Sequence, residues 1–253
     1  MRVLILGGTT EATKLCELIA NRKNMSAMLS LAGRTLTPNP QPIPTRIGGY
    51  GGAEGLAGFL TEQKINFLID ASHPFAERIS ANATAAAALA KVSLIILTRA
   101  PWTQTEGDRW TEVDDLGSAA LALGSEPRRV LLTSGRLGLG AFEDAPQHDY
   151  LIRTIDPPEA LNLPHARIIL DRGPFSESAE KRLMIDEKIE VLVTKNSGGD
   201  ATYGKIAAAR SLGLPVVIVR PPARPEGLVL HDPQEVMRVI EAHPAISGTE
   251  RGV

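Results

Sequence analysis

Short, wholly apolar runs alternate along this chain with longer stretches in which apolar residues recur every three or four positions. Val3–Leu6 is the first such run, the pattern of a strand buried on both faces of a parallel sheet. Gly7-Gly8 makes a turn, and Thr9 or Thr10 caps a helix from about Glu11 to Asn21. The alternation repeats. Strands are predicted over Ser26–Leu31, Ile43–Ile47, Asn66–Asp70, Val92–Thr98 and Trp110–Val113, with helices over about 53–63, over 75–90, and from an Asp114 cap to about Leu123. Pro38, Pro40, Pro42 and Pro44 mark a loop that neither a helix nor a central strand can hold.

Further on, strands are predicted over Arg129–Thr133, Asp149–Thr154, Ala166–Leu170, Glu190–Val193 and Val216–Val219. A helix is expected after Gly138, another behind a Ser176 cap, and a third from Thr202–Lys205 to near Gly213. Leu228–His243 reads as strand, Asp232, then helix, and so resembles Trp110–Leu123. The pattern predicts an α/β protein of two Rossmann-like halves, each a parallel sheet flanked by helices, with the active site in the cleft between them. The border falls near Gly124, giving halves 1–124 and 125–253. Whether each closing strand–helix unit packs on its own half or the other stays open, and 245–253 reads as a frayed tail.

Composition removes several alternatives. A chain of 253 residues can bury one large core or two modest ones. A net charge of −2 argues against a general nucleic-acid binder or a polybasic membrane protein. The lone Cys16 excludes an intrachain disulfide framework and a multi-cysteine zinc site, so no metal is expected, and it suits a reducing cytoplasm. The apolar start is too short for a signal peptide or a membrane span. Of the 27 basic residues 19 are arginine, whose planar fork suits carboxylate or phosphate, although coding bias explains part of that excess.

Chemistry collects where strands end. Gly7, Gly8, Thr9, Thr10 and Glu11 combine a glycine turn with a helix N-terminus, which a pyrophosphate needs, but the spacing departs from G-x-G-x-x-G. After the second strand come Gly33, Arg34 and Thr35 with no acidic residue, which favours NADPH over NADH, unless Arg34 is a solvated loop charge. The Gly48–Gly52 cluster reads more readily as a joint than as a ligand loop. Ser72 and His73 follow the fourth strand, where His73 could donate a proton, hold a cofactor or only fix the Pro74 turn. Arg99 and Trp102 offer a cation and a flat apolar face to a conjugated acidic ligand, unless Trp102 is a packing residue. In the second half, turns after four strands carry Arg136, Arg172, Lys195 and Arg220, and such cations along one edge imply a polyanionic small ligand.

The ordered set Gly7-Gly8-Thr9-x-Glu11, Asp70-Ala-Ser-His73-Pro74-Phe75-Ala, Arg99-x-Pro-Trp102, Thr133-x-Gly135-Arg136, Gly173-Pro174-Phe175 and Thr194-Lys195-Asn196-Ser197-Gly198-Gly199 resembles the precorrin-6A reductase family. The resemblance spans about Met1 to Pro222. It implies a cobalamin-biosynthesis enzyme that takes hydride from NADPH and converts precorrin-6A, a flat tetrapyrrole ringed by carboxylates, to precorrin-6B. It places the cofactor on Gly7–Glu11, Gly33–Thr35 and Ser72-His73. The macrocycle falls to Arg99, Trp102, Ser134, Gly135, Arg136, Arg172, Gly173, Pro174, Phe175, Lys195, Asn196, Ser197, Gly198, Gly199 and Arg220. Tyr203 and Lys205 are the candidate proton donors, and water is the other source. Two rivals stand beside this: an NADH-dependent enzyme acting on the cobalt-containing ring, and a non-enzymatic dinucleotide sensor.

Overall fold

The structure, a computed structural model, describes residues 1–33, 38–158, 161–223 and 226–243. The chain runs through β1 (Arg2–Leu6), α1 (Thr10–Ala20), β2 (Ser26–Leu31), β3 (Thr45–Ile47), α2 (Ala53–Glu62), β4 (Phe67–Asp70), α3 (Glu77–Ala90) and β5 (Ser93–Leu97). It continues through β6 (Arg109–Val113), α4 (Leu116–Ala122), β7 (Arg129–Leu132), a 3-10 turn (Leu139–Phe142), β8 (Asp149–Thr154), β9 (Ala166–Leu170) and α5 (Glu177–Asp186). The last elements are β10 (Val191–Lys195), α6 (Gly204–Ser211), β11 (Pro215–Val219), β12 (Leu228–Leu230) and α7 (Pro233–Glu241).

Two six-stranded sheets result, in the orders β12-β5-β4-β1-β2-β3 and β6-β11-β10-β7-β8-β9. Every pairing is parallel. Counted from β1 and from β7, the two sheets share one doubly wound order, 3-2-1-4-5 with a sixth strand outside the fifth. The sixth strand is where the linear split at Gly124 fails. β6 pairs along its whole length with β11, and β12 pairs with β5. The compact units are therefore residues up to Arg99 together with those from Ala223 onward, and Ala100–Pro222. Both sixth strands are largely exposed, which suits a sheet edge. What ties the last unit to the first sheet is α7, whose Val236, Met237 and Ile240 bury against Leu15, Cys16 and Ile19 of α1.

Strand alternation sorts the first core into two layers. Val3, Ile5, Phe67 and Ile69 face α1 and α7, while Leu4, Leu6 and Leu68 join Leu56 and Leu60 of α2 and Ala83, Ala86 and Ala87 of α3. Alanines on α3 let it approach the sheet closely. In the second unit Leu131, Leu151, Leu192, Val216 and Ile218 pack with Met184 of α5 and Ile206 of α6. Cys16 is wholly buried, and burial pushes its thiol up to about 12, so it serves as packing rather than as a nucleophile. Among the described residues no helix is long and apolar enough to cross a membrane.

Two local expectations need correction. Asp115, not Asp114, caps α4, its Oδ1 accepting the Ser118 amide at 2.7 Å. The helix expected after Gly138 is only the short 3-10 turn, because Gly135 and Gly138 both take positive φ and keep the chain turning.

Candidate functional site

In an open parallel sheet, ligands bind outside the carboxyl ends of the strands where the strand order reverses. That point lies between β1 and β4 in the first sheet and between β7 and β10 in the second. At the first, Gly8 takes φ +123°, and a Cβ placed on it would meet nothing within 4 Å, so the turn is open on its outer side. Thr9 ties this turn to the next one. Its Oγ1 accepts the Ala12 amide at 3.2 Å, capping α1, and donates to the Ala71 carbonyl at 2.8 Å. The buried Asp70 accepts the Ser72 amide at 3.1 Å. His73 Nδ1 accepts the Phe75 amide at 3.2 Å, which places the proton of a neutral ring on Nε2.

Glu11 and Arg99 were read from the sequence as contacts to different ligands, and the structure sets them against each other. Arg99 Nε lies 3.5 Å from Glu11 Oε2, with the side chains 11% and 15% exposed. Burial pulls the Arg99 guanidinium below its ordinary range, and the Glu11 carboxylate only partly opposes that. This arginine thus belongs to the first unit, whereas Trp102, three residues on, belongs to the second.

A cavity of about 500 Å³ opens on the β1–β2–β3 side of the first edge. Gly7, Ser30 and the whole Gly48–Gly52 cluster line it, with Arg78, Ile79 and Asn82 of α3 opposite. The glycine cluster does more than join strand to helix. Arg46 shapes it by donating to the Gly48 carbonyl at 2.6 Å and the Gly49 carbonyl at 2.8 Å, while its guanidinium stacks 4.0 Å from the Tyr50 ring. The sequence signal available was the run of four glycines interrupted by one tyrosine. Gly33, two residues past β2, takes φ +71°, and Arg34 and Thr35 lie outside the described residues.

The second edge is built differently. Arg136 follows β7, Arg172 follows β9, Lys195 ends β10 and Arg220 follows β11, so all four cations stand at carboxyl ends of one parallel sheet. Arg220 is engaged with Asp114 at 2.9 Å. Ser134 Oγ, in the turn after β7, and Thr154 Oγ1, at the end of the neighbouring β8, are buried hydroxyls without a hydrogen-bond partner. The Gly173–Pro174 peptide is cis, and Phe175 donates its amide to the Ala201 carbonyl at 3.0 Å. Arg153 lies 3.8 Å from the Phe175 ring and is paired with both oxygens of Glu180, the residues being 6% and 2% exposed.

A second network holds the Lys195–Gly199 turn. Asn196 Oδ1 accepts the Trp102 amide at 2.8 Å, its Nδ2 donates to the Trp102 carbonyl at 2.9 Å, and the Trp102 indole donates to the Gly199 carbonyl at 2.9 Å. The flat face expected to meet a ligand is in part committed, for Lys205 Nζ lies 5.1 Å from the Trp102 ring. Ser197 and Gly198 continue the turn, with Gly198 and Gly199 both at positive φ. Arg210 donates to the Tyr203 hydroxyl oxygen at 2.6 Å and pairs with Asp108 at 2.9 and 3.2 Å. Burial pushes the Asp108 carboxyl up, but the Arg210 and Thr105 bonds outweigh it and hold it below the usual range. Gly204 permits a close approach, since a Cβ there would lie 2.5 Å from the Phe175 carbonyl oxygen. Arg153–Glu180 and Asp108–Arg210 were not singled out from the sequence, because each partner is an ordinary surface-type residue until folding pairs them.

Two doubly wound parallel sheets, one with a glycine-lined edge and one with a cation-bearing edge, define an α/β protein of the two-Rossmann-sheet class. Residues 2–241 match the sequence model described as precorrin-6x reductase CbiJ/CobK. A precorrin-6A reductase of Sinorhizobium sp is 53% identical over 219 residues, covering 86% of this chain and 84% of the relative. One of Rhodobacter capsulatus is 47% identical over 253 residues, covering 100% and 99%. A cobalt-precorrin-6A reductase of Priestia megaterium is 28% identical over 250 residues, covering 94% and 97%. The solved structure of CobK precorrin-6A reductase superposes with a TM-score of 0.92 at 46% identity over 100% of both chains. The chain belongs to the precorrin-6x reductase family. The resemblance carried by its motifs and the fold class read from its pattern are both those of that family.

Proposed function

We propose that this protein is a precorrin-6A reductase of cobalamin biosynthesis, taking hydride from NADPH to reduce one macrocycle double bond and give precorrin-6B. The observation that carries the reading is the near full-length match to precorrin-6A reductases at 53% and 47% identity, against 28% for a cobalt-precorrin-6A reductase. The first edge fits a nicotinamide dinucleotide on its own geometry. Gly8 leaves the outer side of the turn open, and the α1 N-terminus brings amides and a favourable dipole to an anion. When bound, the nucleotide supplies the hydride.

In this reading Gly7 to Thr10 cradle the pyrophosphate, while Ser72 and the Nε2 proton of His73 orient the nicotinamide half. Arg99 neutralises Glu11, whose carboxylate would otherwise repel a phosphate at the helix N-terminus. On the second edge Arg136, Arg172 and Lys195 take carboxylates of the ring, and Ser134 supplies a hydroxyl donor. Each exposed pair contributes about 1 kcal/mol or less, so several must act together. Tyr203 is the better placed of the two candidate proton donors. Its oxygen accepts from Arg210, which leaves the phenolic proton to give and a cation to stabilise the phenolate that remains. Lys205, 5% exposed and beside the Trp102 ring, is suited to holding that indole.

The test is anaerobic oxidation of NADPH and of NADH, followed by absorbance, with metal-free precorrin-6A and with its cobalt form. Turnover of NADPH on the metal-free ring is expected. Turnover only of NADH on the cobalt ring would move the enzyme to the other route, and binding without turnover on either ring would return it to a sensor.

A further inference from the structure

Cofactor choice was assigned in the sequence to Arg34, and the cavity of the first unit offers a different cation. Arg78 of α3 lines that cavity together with Gly7, Ser30, Tyr50 and Asn82. It is exposed, and among the described residues it has no ion-pair or hydrogen-bond partner. No aspartate or glutamate is among the described residues lining the cavity. Glu77 precedes Arg78 in the first turn of α3, but successive helical residues do not face one another.

Arg46, the other cation near this loop, is already spent on the Gly48 and Gly49 carbonyls and the Tyr50 ring. The Tyr50 hydroxyl, by contrast, has no hydrogen-bond partner. The cavity therefore presents one uncommitted guanidinium and hydroxyl and amide donors, with no charged acceptor. An acid at this side of the fold reads a free ribose 2′-hydroxyl, and a cation reads a 2′-phosphate. The β1–β2–β3 side of the switch point is the adenosine side of such a sheet.

We propose that Arg78 is the residue that selects NADPH, by binding the 2′-phosphate of the adenosine ribose in this cavity. The inference rests on the nicotinamide reading above and names a specificity residue within it. The guanidinium pairs with the phosphate bidentately, a geometry that lysine cannot reproduce.

The test uses the full chain and four probes: NADP⁺, NAD⁺, adenosine 2′,5′-bisphosphate and adenosine 5′-monophosphate, with binding read by calorimetry. The wild type is expected to prefer both 2′-phosphorylated probes. Arg78→Gln should weaken those two by roughly tenfold or more, the equivalent of one charged hydrogen bond, and leave NAD⁺ and the monophosphate unchanged. Arg78→Lys should restore only part of the preference. Equal loss for all four probes would overturn the assignment and place Arg78 on a shared part of the nucleotide. An intact preference in Arg78→Gln that disappears in Arg34→Gln would overturn it in favour of the loop arginine. A wild type that binds none of the probes would overturn the nicotinamide reading itself, a result separable from any variant's.

Discussion

The two sheets share one strand order, yet their carboxyl edges are made of different material. The first edge is backbone: glycine turns, a capped helix and a cavity whose walls carry few committed side chains. The second is side chain: a buried Arg153–Glu180 pair under Phe175, Asn196 bonded to Trp102, and Arg210 joining Asp108 to Tyr203. The difference teaches that strand order supplies only a place for a ligand. A backbone edge suits a long, flexible anion that needs close approach, whereas a cross-braced edge suits a rigid ring whose charged arms need fixed positions.

That contrast can be broken, most severely at Glu180. Glu180→Ala leaves the Arg153 guanidinium buried and unpaired and should destabilise the second unit by about 3–5 kcal/mol. Trp102 and Trp110 both lie in that unit, so tryptophan fluorescence during denaturation reports on it alone. An unchanged midpoint would mean that the second edge is not braced through this pair. Gly204→Ala forces a methyl against the Phe175 carbonyl and should cost about 1–3 kcal/mol by the same readout. On the backbone edge the corresponding change is milder: Thr9→Ala removes a helix cap and should cost about 1 kcal/mol, seen by circular dichroism and not by tryptophan.

Lys195→Ala sharpens the division of ligands. It should raise KM for the tetrapyrrole by up to roughly fivefold while nucleotide affinity holds, as expected for loss of one exposed ion pair. Equal loss of both would place Lys195 on the cofactor. The smallest effect expected is that of pH. His148 is wholly buried in the second unit, and burial, outweighing the rest, holds its ring below the ordinary 6.5. The unfolded chain then binds the extra proton first, so stability is fully present above about pH 6.5 and is lost as pH falls through the lower folded value. The tryptophan-monitored midpoint should drop on mild acidification, and His148→Gln should flatten that slope.

By itself the sequence determined the kind and order of nearly every element, from Val3–Leu6 to the closing Asp232-capped helix. It also marked the turns that carry Gly7, His73, Arg136, Lys195 and Gly173. These signals are local, since apolar runs, caps and glycine turns act within a few residues, and a parallel α/β alternation makes every such turn emerge on one edge. Only the tertiary structure decided which sheet receives β6 and β12, because an exposed edge strand has no local pattern that names its neighbour. It alone set Glu11 against Arg99, Arg153 against Glu180, and the Gly48–Gly52 turn along a cavity with Arg78. Charged pairs are chosen by distance, and residues 27 or 88 positions apart meet only after the hydrophobic layers have packed.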